Sequence, residues 1–362
     1  MRTARCLLVI AMLLLCSGAA PIRAEEADWN VGLASIRITP EEPVRMAGYA
    51  GRKETSTGVA CDLYAKALAL EDRDGQRAVI VTTDLIGFRA ALAEPTCRRI
   101  MDAAGLDREQ ILLNSSHTHT GPTLGLDPAD LDNFSDQQAA ATVRYTEALQ
   151  EKLVQLVVDA FADARPARLS WGTGVARFVM NRREFTEQGV ILGVNPRGHA
   201  DRSVPVLRVD SLDGQPRAVL FGAACHNTTP GQALEISGDF AGYAQAEIQR
   251  VLPGALAMFM QGCGGDANPF PRGEEAVARK HGRDLGQEVL GVLESELQPV
   301  RGPLRIRFER IPLPLQSQLT KADIERLREG RGGWRSFIAD NLLEVLQRGD
   351  ALPDSYPAPV AL

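Results

Sequence analysis

The sequence predicts a mixed α/β fold, with β-sheets flanked by helices and a metal site at the C-terminal ends of strands. Three observations point there. Apolar runs of strand length come in pairs across Asp-Gly turns: 63–71 with 77–83, and 204–209 with 218–225. Asp-Gly in that setting reads as a hairpin turn. Strand–helix–strand units, such as 77–116, imply parallel pairs with right-handed crossovers. Histidines stand where apolar runs stop: His117 and His119 beyond 110–113, and His226 at the end of 218–225.

Residues 1–24 read as an export signal. Arg2 and Arg5 carry positive charge, 6–16 is apolar but too short for a bilayer, and Ile22-Arg23-Ala24 suits cleavage. The mature chain, 25–362, is therefore expected to be exported, either periplasmic or secreted. It is long enough to bury a large core. The net charge of −6 argues against a nucleic-acid partner. Cys61, Cys97, Cys225 and Cys263 remain, without a Cys-x-x-Cys pair and with no pairing indicated. Cys225 and Cys263 read as small buried hydrophobes.

Residues 29–39 form a strand closed by Pro40, followed by a Gly-rich loop, Met46-Ala47-Gly48-Tyr49-Ala50-Gly51-Arg52. Asp84 follows the second strand of the first hairpin directly. It is either a partner for a histidine or a cap. The segment 89–104 is helical, with Pro95 bending it or marking its start. The stretch 110–113 is a short strand leading into Asn114-Ser115-Ser116-His117-Thr118-His119-Thr120-Gly121-Pro122. On a strand, residues i and i+2 share a face, so His117 and His119 look the same way. Two readings stand: a metal site, because neutral imidazole is the commonest metal ligand, or two polar residues at a strand end.

Ser135 reads as the N-cap of a long helix, 136–164, with Leu149, Leu153, Leu156, Val157 and Phe161 on one stripe and Pro166 as its stop. After a strand at 168–172, Asn181-Arg182-Arg183-Glu184 offers arginines as surface charge or as anion-binding forks. The second hairpin ends at Cys225-His226-Asn227. Asp239, after Ile236-Ser237-Gly238, reads as a capping carboxylate for a helix at 240–251. A strand at 256–260 runs into Gln261-Gly262-Cys263-Gly264-Gly265-Asp266, whose glycines could form an anion-binding nest. The helix 274–296 carries His281 as a surface or groove residue, and His199 sits in a loop. The region 304–315 is strand-like, and 319–348 is helical with a break at 330–333.

Taken together, Ile38-Thr39-Pro40, Ser116 to Pro122, His226, Ile236-Ser237-Gly238-Asp239 and the Gly-Asp-x-x-Pro run at Gly265 to Pro269 resemble the neutral/alkaline non-lysosomal ceramidase family. The resemblance implies a zinc amidohydrolase that cuts the N-acyl bond of a sphingolipid or related lipid. It implies His117 and His226 as zinc ligands, with His119 facing the substrate. Zinc would lower the pKa of a bound water and polarise the amide carbonyl. The candidate catalytic groups are His119, Arg182 and Asp266. The candidate substrate contacts are Asn181, Gly265 and Asn268. The partner is a lipid or another N-acylated small molecule, with room for peripheral membrane contact and no protein partner indicated.

Two departures from the family pattern stand out. Asn268 occupies the place of a Ser, and asparagine cannot form an ester. The Glu and Tyr that complete the family's zinc site are expected beyond Leu362, so the catalytic domain is expected to be truncated at its C-terminus. The alternatives are a zinc hydrolase of the same fold acting on another amide or ester, and a non-catalytic exported binding protein.

Overall fold

Asp72 builds the first hairpin turn. Its Oδ1 accepts the N–H groups of Asp74 and Gln76, both at 2.9 Å. Gly75 takes φ 78°, a conformation that carries no steric cost without a Cβ. The structure, a computed structural model, describes residues 27–131, 133–315, 319–329 and 333–361. The expected export signal at 1–24 lies outside them.

In chain order, β1 (Trp29–Arg37), the short β2 (Gly58–Val59), β3 (Tyr64–Asp72) and β4 (Arg77–Thr83) precede helix α1 (Ala90–Ala104). Then come β5 (Ile111–Ser115), α2 (Asp136–Ala162) and β6 (Arg165–Val175). Three short strands, β7 (Val179–Asn181), β8 (Arg183–Thr186) and β9 (Gly189–Leu192), lead to β10 (Ser203–Ser211) and β11 (Pro216–Ala223). Next are β12 (Glu235–Ile236), α3 (Asp239–Val251), β13 (Leu256–Gln261), β14 (Ala267–Pro269), α4 (Glu275–Leu293) and β15 (Gln298–Val300). The chain continues through β16 (Phe308–Pro314), α5 (Lys321–Glu329), α6 (Gly333–Gln347) and β17 (Ser355–Ala361).

The main sheet runs β13-β11-β10-β6-β1-β3-β4-β5, with β15 added beside β6. Its middle is antiparallel. At its two ends β4–β5 and β11–β13 are parallel pairs, joined by α1 and α3 as the strand–helix–strand pattern requires. β3 shows how the sheet separates two layers. Ala65, Ala67 and Ala69 enter a core with α2 residues such as Leu149 and Leu153, while Leu68 and Leu70 enter another. That second core draws Val31, Leu169, Val209, Leu220 and Met258 from five further strands. A sheet supplying one cluster from so many strands is curled around it. α3 and α4 cover the remaining face with Phe240, Ala244, Leu285 and Val289.

The curl brings the two edges of the sheet together. Asn114, on β5, donates to Gln261 O at 3.1 Å and accepts from Gln261 N at 2.8 Å, at the end of β13. A parallel bridge between Thr118 and Asn227 continues the junction. Inside the curl, Lys66 donates to Gln245 Oε1 at 2.8 Å and to Ala257 O at 2.7 Å. Burial lowers its ammonium to about 8.

Several expectations change. Pro95 lies inside α1 rather than at its start. α2 opens at Ser135 with a reciprocal Ser135–Gln138 cap but stops at Ala162, so Pro166 does not end it. Pro166 is instead the second residue of β6, near a strand start where proline is tolerated. His281 is no surface residue. It is 2% exposed, its Nε2 lies 2.8 Å from Pro271 O, and its ring stacks on Phe178. Cys225 is buried as expected, but Cys263 is exposed, and the four described cysteines are free. β16 and β17 form a separate two-stranded ribbon, tied to α1 by the Arg310–Glu94 ion pair at 2.8 Å. No described helix is long and apolar enough to cross a membrane.

Candidate metal centre

His117 and His119 lie beyond the end of β5, not on it, because regular pairing stops at Ser115. Their convergence therefore does not come from a flat strand. His117 takes φ 64°, a left-handed conformation that non-glycine residues seldom adopt. Its N–H bonds Leu85 O at 2.9 Å. The alternation of faces nonetheless persists. The intervening Thr118 and Thr120 turn inward, and both hydroxyls donate to Ser237 O, at 2.8 and 2.9 Å. The two imidazoles turn outward together.

His226 arrives from the other end of the sheet, just past β11, the neighbour of edge strand β13. Its N–H bonds Ala267 O at 3.1 Å. Asn227 locks the junction, donating to Ser116 O at 2.6 Å and accepting from Ala241 N at 3.2 Å. One donor nitrogen from each of His117, His119 and His226 then falls within 4.8 Å of the others. The His117 and His119 Nε2 atoms are 3.3 Å apart. Among the described residues, no carboxylate or thiol joins this group.

The three rings are not equivalent. His117 Nδ1 lies 2.7 Å from Ile86 O, and His226 Nδ1 lies 2.8 Å from Gly264 O. A carbonyl can only accept, so each Nδ1 carries the proton and each Nε2 keeps its lone pair. This is the arrangement metal-ligating histidines use. His119 Nδ1 is buried without a partner. It rests against Gly48, where a Cβ would come within 2.6 Å of it and within 2.5 Å of its Cγ. Burial first, then His117, His226, Arg52 and Arg182, hold His119 down to about 3. Burial above all lowers His226 to about 4, with Arg182 and His117 adding to it. Both rings are neutral at neutral pH, as metal ligation requires. The donor set thus fits a divalent metal of the borderline, imidazole-binding kind.

The acids flagged in the sequence sit elsewhere. Asp84 accepts from Tyr64 N at 2.9 Å and from Gln245 Nε2 at 3.0 Å, so it orients no histidine and caps no helix. Asp239 accepts from Phe240 N at 2.6 Å, which is cap-like, and also from Thr229 N at 2.7 Å. It is fully buried, with φ 52°, and burial raises its carboxyl to about 7. Asp266 accepts Arg182 N at 2.8 Å through its backbone oxygen.

Arg182 is held beside the histidines. Its Nε donates to Gly265 O at 3.1 Å and its Nη1 to Asn268 Oδ1 at 3.2 Å. The glycine run thus turns the Gly264 and Gly265 carbonyls, rather than a nest of amides, toward the functional side chains. Asn181 is committed at both ends of its amide, donating to His199 O at 2.6 Å and accepting from Arg183 N at 2.8 Å. A cavity of about 580 Å³ opens beside the site, lined by His117, His226, Phe88, Leu113, Cys263 and Phe308 among others.

Sequence reasoning missed Tyr49, Arg52, Asn227 and Arg272. Tyr49 packs edge-on against His119, with ring centroids 5.2 Å apart, and burial raises its phenol. Arg52 is 3% exposed and donates to His119 O at 2.6 Å. Gly48 and Tyr49 were visible as a Gly-rich loop. Nothing local shows that Ala47 N bonds Gly121 O at 2.9 Å and so lays that loop on the histidines.

Comparison with known proteins gives the fold and the family. The model of the neutral/alkaline non-lysosomal ceramidase N-terminal domain matches residues 29–281. The chain is 25% identical over 276 residues to neutral ceramidase A of Dictyostelium discoideum, covering 69% of this chain and 37% of that protein. It is 26% identical over 326 residues to the neutral ceramidase of Pseudomonas aeruginosa, covering 80% and 47%. The chain therefore spans less than half the length of these relatives. The crystal structure of the Pseudomonas aeruginosa neutral ceramidase shares the fold, with TM-score 0.67 at 21% identity over 93% of this chain and 60% of that one. A ceramidase complexed with C2 gives TM-score 0.65 at 24% identity, covering 80% and 48%. With the family model spanning most of the described fold and both edges of the histidine site, the chain belongs to the neutral/alkaline non-lysosomal ceramidase family.

Proposed function

We propose that the chain carries the catalytic face of an exported, zinc-dependent amidohydrolase that cleaves the N-acyl bond of a sphingolipid or related lipid. The observation that carries this reading is the pair of carbonyl-anchored imidazoles, His117 and His226, whose Nε2 lone pairs converge beside a cavity. A zinc ion held there would lower the pKa of a bound water and polarise the substrate carbonyl.

The chain's own residues supply the rest. His119 lacks an acceptor at Nδ1, so its proton is better placed on Nε2, where it can donate to a substrate oxygen. Arg182, fixed by Gly265 and Asn268, is placed to stabilise negative charge developing on that oxygen. Asn268 is 7% exposed and takes up the Arg182 and Thr228 donors, so no serine ester forms at this position. In its other tautomer, with the proton on Nδ1, His119 would instead turn a lone pair on Nε2 toward the other two rings, giving the three-ligand set that zinc enzymes use with one open position. Export rests on the leader-like first 24 residues, and a lipid substrate makes peripheral membrane contact part of the same reading.

Asn268 in place of the family Ser favours a second reading, a zinc hydrolase acting on an amide other than ceramide. One experiment separates them. The chain, purified without chelator, is assayed for metal by elemental mass spectrometry and for hydrolysis of N-acylsphingosine and a short N-acyl amide. The lead reading expects about one zinc per chain, cleavage of N-acylsphingosine, and loss of both in His117→Ala. Cleavage of the short amide alone would favour the second. Turnover that survives His117→Ala would remove both.

A further inference from the structure

Three guanidinium groups stand in one line beside the histidines. Arg183 Nη2 and Arg182 Nε both donate to Gly265 O, at 3.3 and 3.1 Å. Arg182 Nη1 donates to Asn268 Oδ1 at 3.2 Å, and Thr228 Oγ1 shares that oxygen at 3.2 Å. Arg272 Nη1 in turn donates to Thr228 Oγ1 at 3.4 Å. Every acceptor along this line is neutral.

Some arginines of the chain find carboxylates, as Arg217 does with Asp163 and Arg208 with Asp210, both at 2.8 Å, while others, such as Arg52 and Arg202, are met by backbone carbonyls. Arg182, Arg183 and Arg272 form no ion pair with any described residue. Their mutual repulsion is visible in Arg182, whose proton affinity is lowered by burial first, then by Arg183 and Arg272; Asp266 opposes this without reaching ion-pair distance. Three like charges held together by neutral acceptors are costly alone and are relieved by a counter-charge. Guanidinium forks match the oxygens of a carboxylate or a phosphate.

The cluster also lies next to the reacting groups. Gly265 and His226 border the cavity; Gly265 O takes Arg182 and Arg183, and Arg182 acts electrostatically on His226. An acyl chain in the cavity, with its amide at the histidines, would leave the amine side toward the arginines.

We propose that the substrate is an N-acyl amide whose amine side carries an anion, a carboxylate or a phosphate, received by Arg182, Arg183 and Arg272. The inference rests on the amidohydrolase reading and sides with its second form, an amide other than ceramide, because ceramide is uncharged and would leave the cluster unpaired.

The test is a binding measurement, independent of turnover. Zinc-loaded chain is titrated calorimetrically with N-hexanoylglycine, N-hexanoyl-phosphoethanolamine and the uncharged N-hexanoylethanolamine. At least one anionic probe is expected to bind about tenfold or more tighter than the neutral one, a difference of about 1.4 kcal/mol. Which one does so separates carboxylate from phosphate. The preference is expected to vanish in R183Q/R272Q, where both replaced side chains are exposed and the fold is checked by circular dichroism. Equal binding of charged and neutral probes, no binding of either anionic probe, or a preference that survives R183Q/R272Q overturns the proposal. Failure to hydrolyse any probe would count against the amidohydrolase reading without altering this binding result.

Discussion

Asn114 and Gln261 join the two edges of the curled sheet through a reciprocal pair of hydrogen bonds, at 3.1 and 2.8 Å. His117 lies three residues beyond one partner, and His226 follows the strand paired with the other. Removing one side of such a pair leaves the Gln261 backbone groups unmet, at about 1–3 kcal/mol. Asn114→Ala is expected to lower the denaturant midpoint accordingly and to weaken zinc retention. Asn114→Asp keeps the acceptor and should lose less. Unchanged zinc affinity in Asn114→Ala would show that the histidines converge without this pair.

Gly48 is required by His119. Its φ of 102° disfavours any side chain, and a Cβ would meet the imidazole at 2.5 Å. Gly48→Ala should displace His119 while leaving the carbonyl anchors of His117 and His226 intact. If His119 acts on substrate, zinc content stays near the parent level while turnover falls by about a hundredfold, the order seen when a positioned group moves by 1 Å. Zinc lost in step with activity would instead mark His119 as a ligand.

Chelation gives a third expectation. A metal that binds only the folded chain stabilises it by about 2.7 kcal/mol at a hundredfold excess over Kd. Chelator should therefore lower the melting temperature, and added zinc should restore it. In His226→Ala, chelator and zinc should both leave the melting temperature unmoved. A chelator shift that persists in this variant would place the ion elsewhere.

Asp239 predicts a pH dependence. Burial raises its folded pKa to about 7, with Glu275 adding to the rise. An ordinary carboxyl titrates near 3.9 when unfolded. The folded chain therefore holds this proton more tightly, and the parent loses stability as pH rises from about 4 to about 7. Asn cannot ionise and tolerates φ 52°. Relative to the parent, Asp239→Asn should thus gain ground between pH 4 and pH 8 in denaturant titrations. A gap that stays constant with pH would mean that the carboxyl is ionised across that range.

The hairpins were legible because Asp72, Gly75 and their neighbours form a turn from local chemistry alone. The ends of strands were legible because apolar runs stop at His117 and His226. What was not legible depends on the curl. Asn114 reads as an ordinary residue at a strand end until β5 meets β13, and the Tyr49 loop reads as a connection until it is laid across His119. Asp84 misled for a related reason: it follows the right strand, but its lone pairs are claimed by the Tyr64 amide and by Gln245, partners that only tertiary packing supplies, whereas Asp239 keeps the cap-like bond to Phe240 N that its place before a helix implies. The strand rule placed His117 and His119 on one face correctly, though the chain achieves this with a left-handed residue rather than a strand.

The meeting of β5 and β13 also sets an order of events. The partners Asn114 and Gln261 are 147 positions apart in the chain, and contacts of such long range are slow to form. His117 and His119 follow β5 at one end of the sheet, and His226 follows β11, the neighbour of β13 at the other. On the zinc reading, neither half alone would present both His117 and His226, so tight capture of the ion would wait for the seam to close.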